Sequence, residues 1–166
     1  MKQIVRKLKP LSILPVLLLL WTIFSFSAQT GTESGGLSQT VSRWLAEGWN
    51  LVSGKHLSPG TLEALAQSME FWVRKGAHMS EYALLCWCAA LPMLVYQVPD
   101  RFRRLGAPLF CILVAASDEF HQSFVPGRTP AVRDVGIDLL GALLALGLLE
   151  LGLALWKQRR RRAENS

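Results

Sequence analysis

Cysteine is scarce in this chain: Cys86, Cys88 and Cys111 are the whole complement of 166 residues, and each falls inside an apolar stretch. There a thiol behaves as a small hydrophobe, and three of them without an extracellular pairing pattern exclude a disulfide framework and a cysteine zinc site. Charge is sparse too. Asp, Glu, Lys and Arg make up 18% of the residues against 51% hydrophobic ones, and the mean hydropathy is positive. That balance is too apolar for an ordinary soluble domain of this length, so a membrane is part of its solvent.

The net charge of +6 invites a nucleic-acid reading, which the distribution of the charge rejects. Half of the eighteen basic residues sit in terminal clusters directly beside apolar runs: Lys2, Arg6, Lys7 and Lys9 at one end, Lys157 and Arg159 to Arg162 at the other. Such clusters are cytoplasmic membrane flanks that anchor topology on anionic lipid. No nucleic-acid partner is expected.

Four stretches approach the roughly 20 residues that a helix needs to cross the hydrocarbon core. They are residues 11–28, where Pro15 can introduce a kink, then 76–96, 105–124 and 135–156. Backbone groups cannot stay unpaired in lipid, so each must be helical. A cleavable signal peptide competes for the first stretch, but its apolar run of 18 residues exceeds the usual core of about 7 to 15. The expected fold is an all-α integral membrane protein, a four-transmembrane-helix bundle over residues 11–156, with a basic amino terminus (1–10) and a basic tail (157–166). Twelve Lys and Arg fall on the side of the two termini and six on the other. The positive-inside bias therefore puts both termini in the cytoplasm of a plasma (inner) membrane, multi-pass.

The outer segment 29–74 divides in two. Its first part, QTGTESGGLSQT, is rich in Gly, Ser and Thr and reads as a flexible loop. Beyond Ser58 as N-cap and Pro59 in the first turn, Leu62, Leu65, Met69 and Trp72 recur at helical spacing. This is an outer interfacial amphipathic helix, lying on the membrane surface or capping the neighbouring spans.

The ionisable residues that a membrane should exclude gather at one depth. Lys75, His78 and Glu81 open the second span from outside; Asp118, Glu119, His121 and Gln122 close the third; Arg128, Arg133, Asp134 and Asp138 occupy the following loop and the opening of the fourth. All lie within roughly 10 Å of one surface at 1.5 Å of rise per residue. Residues three and four apart share a helix face, which groups Lys75, His78 and Tyr82, with Arg74 and Glu81 flanking. The same spacing groups Asp118, His121 and Gln122, and then Asp134, Asp138 and Gly141. Charges at this depth face the bundle interior, water or one another, so the three stripes should converge, with Gly141 and Gly147 allowing close approach. The plainer reading is a set of buried ion pairs fixing register, such as Lys75 with Glu119 or Arg128 with Asp138.

The strings IFSFSAQTGTESGGLS, RKGAHMSEYALL and DEFHQSFVPGRTPAVRDVGIDLLGALL, together with the four-helix layout, resemble the VanZ-like membrane proteins from about Trp21 to Leu149. The specific combination is Glu119 and Gln122, the Pro126–Arg128 tripeptide, and the aspartates Asp134 and Asp138. Members commonly carry Asn before the glycine-containing stretch of the last helix, where this chain has Leu139 and Leu140. The family is named for a protein linked to resistance against the glycopeptide teicoplanin, so the resemblance implies a cell-envelope role.

Three functions compete. In the first, the site binds a lipid headgroup or lipid-linked cell-wall precursor, Lys75, Arg128 and Arg133 taking a phosphate or carboxylate that the acids help to orient. No cofactor is needed, and Ser80, Ser117 and Ser123 read as helix-packing hydroxyls. In the second, Glu119 or Asp138 is a general base beside His78 or His121 in a membrane-embedded hydrolase or transferase, its metal-assisted form holding a divalent cation on Asp118, His121 and Asp138. The third is proton transport, against which the inner half of the bilayer argues: apart from Glu150 no ionisable residue continues the ladder.

Overall fold

A computed structural model describes residues 9–164; the basic residues Lys2, Arg6 and Lys7 lie outside them. A 3₁₀ turn, Lys9–Ile13, leads into α1 (Leu14–Ser27), followed by α2 (Gly31–Ser53), α3 (Pro59–Val95), α4 (Asp100–Gln122) and α5 (Val132–Glu164). Pro15 stands in the first turn of α1, where its missing N–H has no partner to lose, so it starts a helix rather than kinking one.

Among the described residues three helices are long and apolar enough to cross a membrane by length and composition: those spanning Lys9–Ser27, Pro59–Val95 and Val132–Glu164. The expected fourth, α4, has the length but an uncharged stretch only from 105 to 117, cut by Arg104 and Asp118. It nonetheless packs against both α3 and α5, and α1 lies against α3 and α4. Large apolar side chains such as Leu17, Leu18 and Trp21 are exposed, whereas Tyr82, Leu85, Cys86 and Cys111 are fully enclosed. All three cysteines are free.

Small residues set the tightest contacts. Gly141 of α5 lies against the backbone of Met79 on α3, with no room for a side chain, and Trp87 donates its indole N–H to the carbonyl of Ala145 at 2.6 Å. Gly147, expected to serve the same purpose, has nothing within 4 Å of where a Cβ would stand.

The flexible loop expected after residue 29 is instead the start of α2. Thr30 closes a capping box: its hydroxyl accepts from Glu33 N at 3.3 Å, and the Glu33 carboxylate accepts from Thr30 N at 2.9 Å. Ser38, Ser42 and Ala46, spaced by four, then form the buried face of α2, which packs on α3. Ser38 and Ser42 return their hydroxyls to carbonyls one turn back. Small polar residues that would break an isolated helix here let two helices approach. Gly54, at φ +63°, ends α2.

The amphipathic helix after Ser58 is likewise not a separate interfacial element. It runs without a break into the second span, making α3 37 residues long, and α2 folds back along it as a hairpin. Ser58 does cap it, accepting from Thr61 N at 3.3 Å.

The capping box gives a pH signature. Hydrogen bonds from the Thr30 backbone first, and its hydroxyl second, hold the Glu33 carboxyl below its ordinary value. A carboxyl depressed in the folded state stabilises α2 fully above the ordinary value of about 4. That contribution is lost as the pH falls through the lower folded value. Amide exchange at residues 31–35, normalised for intrinsic rates, should rise across that acid window, and Glu33→Gln should flatten the response; a pH-independent wild type contradicts it.

At the far end from the polar gathering lies a second ionic cluster. Arg103 is 2% exposed. It donates to Glu150 at 2.5 Å and to Asp100 at 2.8 Å. Arg104 reaches the other Glu150 oxygen at 3.0 Å, and Lys157 approaches Asp100 at 3.4 Å. By sequence Arg103 counted only as a topology charge in the 97–104 loop; it belongs to α4 and ties α4 to α5.

Candidate functional site

The polar residues of α3, α4, α5 and the 123–131 loop meet at one end of the bundle. Lys75 Nζ contacts Asp134 Oδ2 at 2.5 Å, both largely buried. The Glu119 carboxylate accepts from the backbone N–H of Ala131 at 2.8 Å, fixing the loop that enters α5. Gln122 donates to Asp118 at 2.8 Å, and His121 Nδ1 stands 3.1 Å from the Ser27 hydroxyl at the end of α1. His78 Nδ1 is 3.8 Å from Glu81, beyond hydrogen-bond reach. Lys75 therefore pairs with Asp134 and not Glu119.

Arg128 does not pair with Asp138 either. Its Nε donates to the carbonyl of Gln29 at 3.0 Å and its Nη2 to that of Phe26 at 2.9 Å, so it caps the carboxyl end of α1, where the helix dipole favours a cation. The chain crosses itself closely here. Gly31 N donates to Pro126 O at 3.1 Å, and a Cβ on Gly31 would collide with the carbonyl of Gly127, itself at φ +74°. Both glycines are required, one by proximity and one by conformation.

Two cavities flank this crossing. One, of about 300 Å³, is mostly apolar and is lined by Ile23, Phe26 and Leu37 together with Arg74, His78, Arg128, Glu81 and Asp118. The other, of about 480 Å³, is polar and is lined by Lys75, Arg133 and Asp134 along with the same Arg74, His78 and Arg128. These three residues stand between an apolar chamber and a polar one.

Arg74 was a flanking residue by sequence, and the geometry moves it to the centre. Its Nη2 donates to Glu70 at 3.1 Å, while its Nε is buried without a hydrogen-bond partner among the described residues. Burial first, and the neighbouring Arg74 guanidinium second, lower the Arg128 pKa from its ordinary value. Two guanidinium groups thus stand close together beside a cavity whose wall also carries Glu81 and Asp118. The signal was available: Arg74, Ala77, His78 and Glu81 repeat at three and four, a stripe next to the one through Lys75.

The acids are arranged differently. Asp118 and Asp138 are each 2% exposed, and among the described residues one oxygen of each, like the enclosed Tyr82 hydroxyl, has no hydrogen-bond partner. Among the described residues no group of three His, Cys, Asp or Glu side chains is placed to hold a metal ion, so Asp118, His121 and Asp138 do not converge as a ligand set. Glu119, His78 and Asp138, the catalytic candidates, make no hydrogen bond with one another; Glu119 is engaged by the loop backbone.

No curated protein and no solved structure matches the chain. The profile of the VanZ/LLP1 family matches residues 12–154, a segment that runs from the first apolar helix through the hairpin and the whole polar end to the last span. With three helices among the described residues long and apolar enough to cross a membrane, and most of its length within that match, this chain belongs to the VanZ/LLP1 family of multi-pass helical membrane proteins.

Proposed function

We propose that this protein binds a phosphate-bearing amphiphile of the cell envelope, a lipid headgroup or a lipid-linked cell-wall precursor, at Arg74 and Arg128. The observation that carries the reading is the position of Arg74 and Arg128: two arginines that line both an apolar and a polar cavity. An anionic headgroup fits that boundary, its hydrocarbon in the apolar chamber and its polar substituents in the other. Lys75 and Asp134 neutralise each other, while Arg128 ties its loop to the end of α1. In this reading α4 crosses the bilayer with α1, α3 and α5, both termini are cytoplasmic, and the site opens outward. A role in glycopeptide resistance follows if the bound precursor is withheld from the drug.

The test is direct binding. Full-length protein in nanodiscs of zwitterionic lipid is titrated with dodecyl phosphate and with phosphatidic acid. A charge-assisted hydrogen bond contributes about 1.5–3 kcal/mol, so Arg74→Gln should weaken binding by roughly 10- to 100-fold. Affinity unchanged by Arg74→Gln sinks the proposal. Arg128→Ala is a poorer probe, because it also releases the end of α1.

A further inference from the structure

α3 is 37 residues long, about 55 Å at helical rise, whereas a hydrocarbon core is about 30 Å thick. Its opening third, with α2 against it, therefore stands clear of the bilayer on the side of the site. α2 buries Ser38, Ser42 and Ala46, and α3 buries Ala66 and brings Glu70 to Ser38. One position before each of these residues stands an apolar one: Leu37, Val41 and Leu45 on α2, Leu65 and Met69 on α3. In antiparallel right-handed helices, residues that precede the contact face on both partners fall on the same side of the pair. The two stripes thus form one trough along the hairpin.

The cavities follow that trough end to end. Leu37, Val41 and Val73 line the 300 Å³ cavity together with Arg74 and Arg128. One turn further out, Leu45, Leu65 and Met69 line an apolar groove of about 620 Å³ between Trp44 and Trp49. Leu37 is 56% exposed and Leu45 48%, a large contiguous apolar surface to leave facing water. Of these two cavities only the first has cationic side chains in its lining, which is the charge pattern of a single-headed anionic amphiphile.

We infer that this trough shelters the hydrocarbon chain of the anionic lipid whose headgroup sits at Arg74 and Arg128, so that the hairpin draws a lipid part-way out of the bilayer. The inference rests on the headgroup reading above and adds the direction of the chain. A lipid held this way presents its polar substituents to the outer aqueous side while its chain stays covered.

Photolabelling separates the two claims. Protein in zwitterionic nanodiscs is irradiated with dodecyl phosphate carrying a diazirine at the chain end, and adducts are mapped by mass spectrometry, with the corresponding dodecanol as control. The expected adducts fall within 41–52 and 62–73 and drop at least tenfold with the alcohol and in Arg74→Gln. Leu45→Gln, at an exposed position, should reduce them while phosphate binding persists. Adducts confined to α1, α4 and α5 that still require the phosphate would place the chain in the bilayer and overturn the trough, leaving the headgroup site standing. Hairpin adducts of equal yield with the alcohol, undiminished in Arg74→Gln, overturn the headgroup site and the inference with it.

Discussion

Replacing Arg103 with methionine is expected to lower the stability of the solubilised protein by about 3–5 kcal/mol, the range for removing one partner of a buried ion pair. The Arg103 side chain is 3% exposed and Glu150 is 21% exposed, so little solvent screens the pair. Methionine keeps most of the aliphatic stem and its packing, which assigns the loss to the charge. What remains is a carboxylate at the α4–α5 contact with only the exposed Arg104 to answer it. Denaturant unfolding followed by tryptophan fluorescence reads the effect, and Arg103→Met with Glu150→Met supplies the decisive control. Two apolar side chains in place of a buried pair are close to neutral, so the double variant should recover most of the loss. A double variant as unstable as the single one would mean that Arg103 acts through its shape rather than its pairing.

The same residue marks how far the sequence could be read. Arg103 stands in a cluster with Arg101 and Arg104, which by composition is a membrane flank, and its partner lies 47 positions away in the chain. Only the approach of α4 to α5 distinguishes the buried arginine from its exposed neighbours. The gathering of ionisable residues at the other end was legible for the opposite reason: Lys75, His78, Asp118 and Asp138 each conflict with the hydropathy of their own segment, and depth follows from counting along a helix. Which pairs form was not legible. Lys75 had several acids within reach by spacing, and Arg128 chose backbone carbonyls, which leave no trace in side-chain identity. The helix from Gly31 escapes a reading by propensity because glycine and serine weaken an isolated helix, while serine and alanine at intervals of four open a face for α3. Local propensity there is overruled by a contact that exists only in the fold.

Gly141 carries the second large expectation. A Cβ there would meet the carbonyl and side chain of Met79, where α5 lies against α3 across the most extensive helix pairing of the bundle. The obstacle includes backbone, which cannot rotate aside as a side chain could, so Gly141→Ala must push the helices apart. Overpacking of this kind costs about 1–3 kcal/mol, and Gly141→Leu should exceed it. The displacement also reaches the polar end, because Asp138 stands one turn before Gly141 and is buried. Phosphate-lipid binding should therefore weaken together with stability. Gly147→Ala provides the contrast on the same helix. With nothing within 4 Å of the added methyl, it removes a glycine from a helix interior and should be neutral or stabilising by up to about 1 kcal/mol. If the two alanine variants unfold at the same denaturant concentration, the close approach at Gly141 does not govern how α5 sits on α3.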